Sequence, residues 1–137
     1  MSRWFFALVP LAFGCHALGL VCTEMGCIGS LTIVLSRPLA DDAVVSIDLG
    51  PDGVFDCTPS GDTFTGCSLT EEGGEPAIVV QPGAGEPETV VVEIGEGGAE
   101  PAAYDVEVTW GDRWYPNGKA CDGPDGGCVS GEGFLQL

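Results

Sequence analysis

The chain has 137 residues, which is enough for one domain with its own core and too few for two of ordinary size. It carries 21 acidic residues against 4 basic ones, so its net charge of −17 excludes nucleic acid as a partner and disfavours docking on acidic membranes. With 45% hydrophobic residues beside 22 Gly and 10 Pro, the composition predicts a folded, turn-rich domain whose carboxylates mostly form a solvated surface.

Residues 1–14 are typical of an export signal. A short basic start precedes an apolar run from Trp4 to Phe13, and the small residue Gly14 closes it. A buried core helix is disfavoured because Pro10 interrupts the run. An uncleaved anchor extending through Val21 is disfavoured because it is barely long enough to cross a bilayer. We therefore expect a signal peptide over 1–14.

The stretch Leu11-Ala12-Phe13-Gly14-Cys15 resembles the lipobox of bacterial lipoproteins, in which the signal is cut before a cysteine that receives a lipid. The resemblance implies a lipid on Cys15 and an anchor in a membrane of the bacterial cell envelope. Ordinary cleavage after Gly14 or Ala17, giving a secreted or periplasmic protein, is the alternative.

The number of cysteines supports lipidation. An exported protein disfavours a free thiol, and a lipid on Cys15 reduces the 7 cysteines to an even set that can close as disulfides, with the connectivity left open. Cys57 and Cys67 are the best local pair because they flank a turn. Zinc binding is the competing explanation for these cysteines. A zinc site typically repeats a close cysteine spacing, and this chain does not repeat one. The candidate disulfide cysteines are Cys22, Cys27, Cys57, Cys67, Cys121 and Cys128.

Beyond a tether that carries the first cysteine pair over 15–27, alternating apolar residues predict a β domain over 28–137. Hairpin turns are expected at Pro59–Asp62 and at Gly111-Asp112. The pattern predicts an all-β fold, an antiparallel β-sandwich of immunoglobulin-like type, with a barrel as the alternative. The predicted strands are Ser30–Ser36, Asp42–Leu49, Val54–Thr58, Thr63–Leu69, Pro76–Gln81, Glu88–Ile94, Ala103–Trp110, Arg113–Tyr115 and Val129–Leu137.

The spacing of features along the mature chain resembles a group of uncharacterised small lipoproteins from predatory soil bacteria. The resemblance rests on Cys22 and Cys27 before a hydrophobic strand, and on Pro116-Asn117-Gly118 with Cys121 and Cys128 before the last strand. It implies an all-β lipoprotein and no particular activity.

Residues for catalysis are sparse. The single histidine, His16, adjoins the signal, so no Ser-His-Asp or Cys-His arrangement can form in the domain. The segments Gly95–Gly98 and Gly123–Gly127 lack the Lys-Ser/Thr end of a phosphate loop and are expected to be turns. We expect no enzyme activity, and a secreted carboxylate-based or metal-dependent hydrolase is the alternative.

Calcium is the one cofactor for which the sequence offers ligands. Asn117, Asp122 and Asp125 lie in Gly-rich turns and supply hard oxygen atoms, without the spacing of an EF-hand. Ordinary turn chemistry is the plainer interpretation. A second acidic cluster with the same ambiguity comprises Asp48, Asp52 and Asp56.

Trp110, Trp114 and Tyr115 lie close together in the sequence. Facing outward, they would form a platform for a carbohydrate or protein partner; because Trp110 belongs to the inward set of its strand, core packing is the plainer interpretation. Together the patterns predict a non-catalytic exported lipoprotein, an accessory or binding domain of the cell envelope. A purely structural envelope protein is the alternative.

Overall fold

The computed structural model describes residues 29–59, 66–81, 85–116, 118, 121 and 127–137. The predicted signal peptide and tether lie outside these ranges. Within them no helix is long and apolar enough to cross a membrane, and a 3₁₀ turn lies at Gly50–Asp52. The strands are β1 (Ser30–Leu35), β2 (Val44–Asp48), β3 (Val54–Pro59), β4 (Cys67–Glu72), β5 (Glu75–Val80), β6 (Thr89–Gly95), β7 (Ala102–Trp110) and β8 (Ser130–Leu135).

The strands form one mixed sheet that closes into a barrel, in the order β1-β5-β4-β3-β2-β6-β7-β8. Strand β1 pairs with β5 on one side and with β8 on the other, so the sheet has no edge at β1. The β1–β8 and β3–β4 pairs are parallel, and the other neighbours are antiparallel. The all-β class is confirmed, whereas the sandwich of immunoglobulin-like type is not confirmed by this topology.

Four strands follow the alternation that their sequences predict. On β1, for example, Leu31, Ile33 and Leu35 are buried while the residues between them are half-exposed. Strands β2, β6 and β7 alternate in the same way. Burial of each such aliphatic side chain stabilises the fold by roughly 1.5–3 kcal/mol, so these inward rows are the main source of stability.

The interior of the barrel is apolar. Within the described ranges no polar or charged side chain is buried. The core cluster consists of Leu31, Ile33, Leu35, Val45, Ile47, Leu49, Cys57, Cys67, Ile78, Val80, Val90, Val92, Ile94, Val106, Val108 and Leu135.

The predicted hairpins differ from those observed. Strands β3 and β4 pair in parallel, at Thr58↔Ser68 and Pro59↔Leu69, so the predicted β3–β4 hairpin is wrong. A hairpin instead joins β4 to β5 across Gly73 and Gly74, whose φ angles of 60° and 87° suit a two-residue turn.

The second predicted hairpin, across Gly111-Asp112, is also wrong. Trp114 does not pair back onto β7, and its backbone bridges Cys128 instead. The segment after β7 therefore runs beside the start of β8. Gly111, in this segment, donates its N–H to the Ser130 carbonyl over 2.9 Å.

Strand β8 has an unusual distribution of side chains. Its inward positions include two glycines, and Phe134 points outward with 59% of its surface exposed. A Cβ on Gly131 would lie 2.8 Å from the Trp110 ring, and one on Gly133 would lie 2.9 Å from Val106 Cγ1. Because side chains of β7 already fill this part of the core, only glycine fits opposite them.

Candidate functional site

One predicted disulfide is present. Cys57 and Cys67 are joined, with their Cα atoms 4.6 Å apart, and both face the core. Cys57 lies opposite Val45, and Cys67 lies opposite Val80. The bond therefore ties β3 to β4 from inside the barrel, beside their short parallel pairing.

The remaining cysteines fall into two groups. Cys121 and Cys128 each take part in a disulfide, and Cys128 is almost fully buried. The predicted lipid attachment site, Cys15, lies outside the described residues, as do Cys22 and Cys27.

The predicted calcium ligands Asn117, Asp122 and Asp125 lie outside the described residues. In the part of the chain that the structure describes, no three acidic, histidine or cysteine side chains converge on a point that could hold a metal ion.

The second acidic cluster shows turn chemistry. The Asp48 carboxylate accepts the backbone N–H of Gly50 over 2.8 Å, which closes a local turn. The Asp52 carboxylate accepts the N–H of Gly85 over 3.0 Å and so ties two loops together. Asp56 lies on β3, opposite Ser46. Two of these carboxylates thus organise loop backbone.

Trp110 is partly buried and packs against the core. Its ring packs on Gly131, and its indole N–H donates to the Pro87 carbonyl over 2.9 Å. The hydrogen bond satisfies the one polar atom of a half-buried ring, as expected for a structural tryptophan.

Trp114 and Tyr115 are placed differently from Trp110. The backbone of Trp114 exchanges hydrogen bonds of 2.9 and 2.7 Å with Cys128, which holds the residue firmly while 54% of its surface stays exposed. The half-buried Tyr115 lies over Gly127, where a Cβ would come within 2.9 Å of Tyr115 Cδ1. We refer to Trp110, Trp114 and Tyr115 together as the aromatic end.

The aromatic end is braced on two sides. Arg113 forms an ion pair with Glu86, which fixes the segment after β7 to the segment before β6. Gly29 lies so close to Val129 that a Cβ would come 2.7 Å from its carbonyl oxygen. The aromatic end therefore lies at the end of the barrel where the chain enters β1.

A second exposed surface lies on the outer side of β1, β7 and β8. The register places Val34 beside Phe134 and Thr32 beside Glu132. This surface forms a shallow depression of about 910 Å³. We call it the Phe134 face; the side chains that define it are Val34, Phe134 and the carboxylates Glu72, Glu75, Asp105, Glu107 and Glu132.

The Phe134 face was not predicted from the sequence. Its signal becomes visible only when the strand pairing is known, because an inward Trp110 requires small residues opposite it on the neighbouring strand. Gly131 and Gly133 meet that requirement, and the parity of a strand puts Glu132 and Phe134 on the opposite side.

One further electrostatic contact lies outside both surfaces. Arg37 donates two hydrogen bonds to the Glu96 carboxylate, over 3.1 and 2.6 Å, and the Ala40 N–H donates a third over 2.8 Å. The Arg37 hydrogen bonds, followed by the Ala40 N–H, lower the pKa of Glu96 to about 2. This contact ties the segment after β1 to the turn after β6.

Comparisons with protein-family models, curated proteins and solved structures found no match to this chain.

Proposed function

We propose that the protein is a non-catalytic binding domain of the bacterial cell envelope, exported by its signal peptide and anchored by a lipid on Cys15. Its aromatic end meets the partner, and a carbohydrate polymer is the partner that we propose. Aromatic rings bind sugars and proteins alike through a flat apolar surface with a polar rim.

The observation that supports binding is the exposure of Trp114 on a rigid support. The barrel interior is filled by apolar side chains, yet Trp114 is left 54% exposed and is held by two backbone hydrogen bonds to Cys128. Because the backbone of Trp114 is already held, a ligand that covers the ring has to order only its side chain.

The anchor would place this end close to the membrane. The aromatic end lies at the end of the barrel where the chain enters β1 after Gly29, and the chain between Cys15 and Gly29 spans at most roughly 50 Å when fully extended. Peptidoglycan, the envelope polymer that lies beside a membrane, is therefore the first polymer to test.

The finer fold assignment also belongs to this proposal. Among the described residues only two register pairs join β3 to β4 and only three join β7 to β8, so the barrel is thinly closed on two sides. Such a barrel is close to two sheets packed face to face, and this supports the predicted sandwich of immunoglobulin-like type.

Two alternatives predict different behaviour. A secreted hydrolase would need carboxylates that converge in a cleft. Among the described residues no carboxylate is buried. A purely structural envelope protein would need no discrete partner. The structural protein predicts that substituting Trp114 leaves binding to envelope polymers unchanged, whereas the hydrolase predicts cleavage of its substrate.

Sedimentation with purified peptidoglycan sacculi tests the binding role. We expect the wild-type protein to sediment with sacculi and Trp114→Ala to lose most of that binding, about tenfold in affinity, because a stacking surface is removed. Phe134→Ala is the matched control, since it removes an equally exposed ring from another surface. Equal sedimentation of wild type and Trp114→Ala would overturn the assignment.

Intact mass spectrometry of the protein isolated from bacterial membranes tests the anchor. We expect a mass that begins at Cys15 and includes acyl chains, and we expect Cys15→Ala to appear without lipid. Cys22→Ala is the control, because it removes a cysteine without touching the lipobox. A wild-type protein that carries no lipid would contradict the anchor and leave the binding role to be judged by sedimentation.

A further inference from the structure

The Phe134 face includes an exposed aromatic ring that the packing of the barrel does not require. Strand β8 turns Gly131 and Gly133 inward and exposes its one aromatic residue, Phe134. Its register partner Val34 adds a second apolar side chain beside that ring. An apolar strip on a rigid sheet, within a depression of about 910 Å³, offers a site that a partner can fill.

Carboxylates surround this strip. Glu132 lies next to Thr32 on β1 and Thr109 on β7. Glu107 follows along β7, where Val108 is paired with Gly133, and its side chain is exposed on the same side. Glu72 and Glu75 face each other directly across the β4–β5 hairpin. Like charges placed opposite each other in this way destabilise a sheet.

The described chain supplies no cation to balance this charge. Its two arginines, Arg37 and Arg113, are engaged with Glu96 and Glu86, residues that do not belong to the Phe134 face. The five carboxylates are also spread along several strands, and no three described ones converge on a single metal ion. The geometry therefore suits an extended cationic partner better than one ion.

We propose that the Phe134 face docks a basic protein segment whose apolar side chain packs on Phe134 and Val34 and whose Lys or Arg side chains pair with the surrounding carboxylates. Charge complementarity would speed encounter and select the partner, and the apolar strip would supply the contact that survives at high salt. This site lies on the side of the barrel, so the proposal goes beyond the aromatic end and its partner.

Fluorescence anisotropy of two labelled peptides tests the proposal with the purified full chain. The first peptide is Lys-Leu-Lys-Leu-Lys-Leu-Lys, and the second replaces each leucine with serine at the same charge. We expect the leucine peptide to bind at least about tenfold more tightly than the serine peptide, and its affinity to fall as salt rises.

Two variants separate the two parts of the site. Phe134→Ser should weaken the leucine peptide about tenfold and leave the serine peptide unchanged, because it removes apolar contact alone. The double variant Glu107→Gln with Glu132→Gln should weaken both peptides. Its control, Asp41→Asn with Asp42→Asn, removes the same charge from exposed positions between β1 and β2 and should change either affinity less than about twofold.

The opposite results would overturn the proposal. Equal weakening by the two double variants would show non-specific attraction to a polyanion. Equal binding of the leucine and serine peptides, or displacement of the leucine peptide by micromolar Ca²⁺, would show that Phe134 is not part of a protein-docking site. If the protein binds the peptide but does not sediment with sacculi, only the proposal for the aromatic end is wrong. If it sediments with sacculi but does not bind the peptide, only the proposal for the Phe134 face is wrong.

Discussion

The barrel has two parallel seams, and they are held together in different ways. At the β1–β8 seam six residue pairs run from Ser30↔Ser130 to Leu35↔Leu135. At the β3–β4 seam the register covers Thr58↔Ser68 and Pro59↔Leu69, and the Cys57–Cys67 disulfide lies beside it. A long hydrogen-bonded ladder holds the first seam, whereas a covalent bond reinforces a short ladder at the second.

The difference shows how a small barrel can close where strand pairing is weak. Parallel pairs cannot arise from a tight hairpin, and closing them has a cost in chain entropy before any contact is gained. The β1–β8 seam offsets that cost with the inward side chains of β1, including the buried Ile33 and Leu35. The β3–β4 seam has fewer such pairs, so the disulfide contributes more there.

Removing the disulfide is the strongest test of this comparison. The double variant Cys57→Ala with Cys67→Ala should lower the free energy of unfolding by about 3 kcal/mol, mainly because the unfolded chain gains freedom. Urea unfolding measures this loss, with Val44→Ala as the control because Val44 is exposed on the neighbouring strand.

Amide hydrogen exchange of the same variant then locates the effect. We expect the amides of β3 and β4 to exchange faster by a larger factor than those of β1 and β8, since the short seam opens first. An equal acceleration in all four strands would mean that the two seams open together and that the comparison is wrong.

A smaller effect on stability is expected from the Arg37–Glu96 contact, which lies outside both seams. Glu96 has a pKa of about 2 in the folded protein, below its ordinary value of 4.5, because Arg37 and the Ala40 N–H hydrogen-bond the ionised form. Because the folded-state pKa is lowered, ionised Glu96 stabilises the fold at pH values above 4.5. This stabilisation is lost as the pH falls through about 2. Glu96→Gln should therefore lower the Tm slightly at pH 7, by a few degrees at most, because the pair is solvent-exposed.

Thermal unfolding from neutral to strongly acidic pH checks this prediction. The wild-type and Glu96→Gln curves should converge as the pH falls, whereas Glu100→Gln, a control in the same turn, should follow the wild type throughout. A constant Tm difference at every pH would show that the lost hydrogen bonds matter through packing and not through charge.

Much of the fold could be predicted from local pattern. The alternation of β7 predicts this strand directly, because the buried Val106 and Val108 alternate with the exposed Asp105 and Glu107. The β4–β5 hairpin also had a local signal, since Gly73 and Gly74 provide the positive φ angles of a two-residue turn. Pro59–Asp62 carries an equally strong turn signal, yet the strands on either side of it pair in parallel.

The closure of the barrel could not be predicted in the same way. Pairing of β1 with β8 joins residues about one hundred positions apart, and alternation fixes which side chains face inward without specifying the neighbouring strand. The Phe134 face was missed for a related reason. Its orientation depends on Trp110 filling the space over Gly131, which is a contact between two strands and not a property of either one.

The β1–β8 seam also determines how the barrel resists a mechanical load. Because β1 and β8 run side by side in the same direction, a pull that enters at Ser30 and leaves at Leu135 slides one strand along the other. All the backbone hydrogen bonds between the two strands then share the force at once, instead of opening one after another as they would in a peeled hairpin. A domain tethered at the start of β1 and pulled from beyond β8 thus meets tension with its longest parallel ladder.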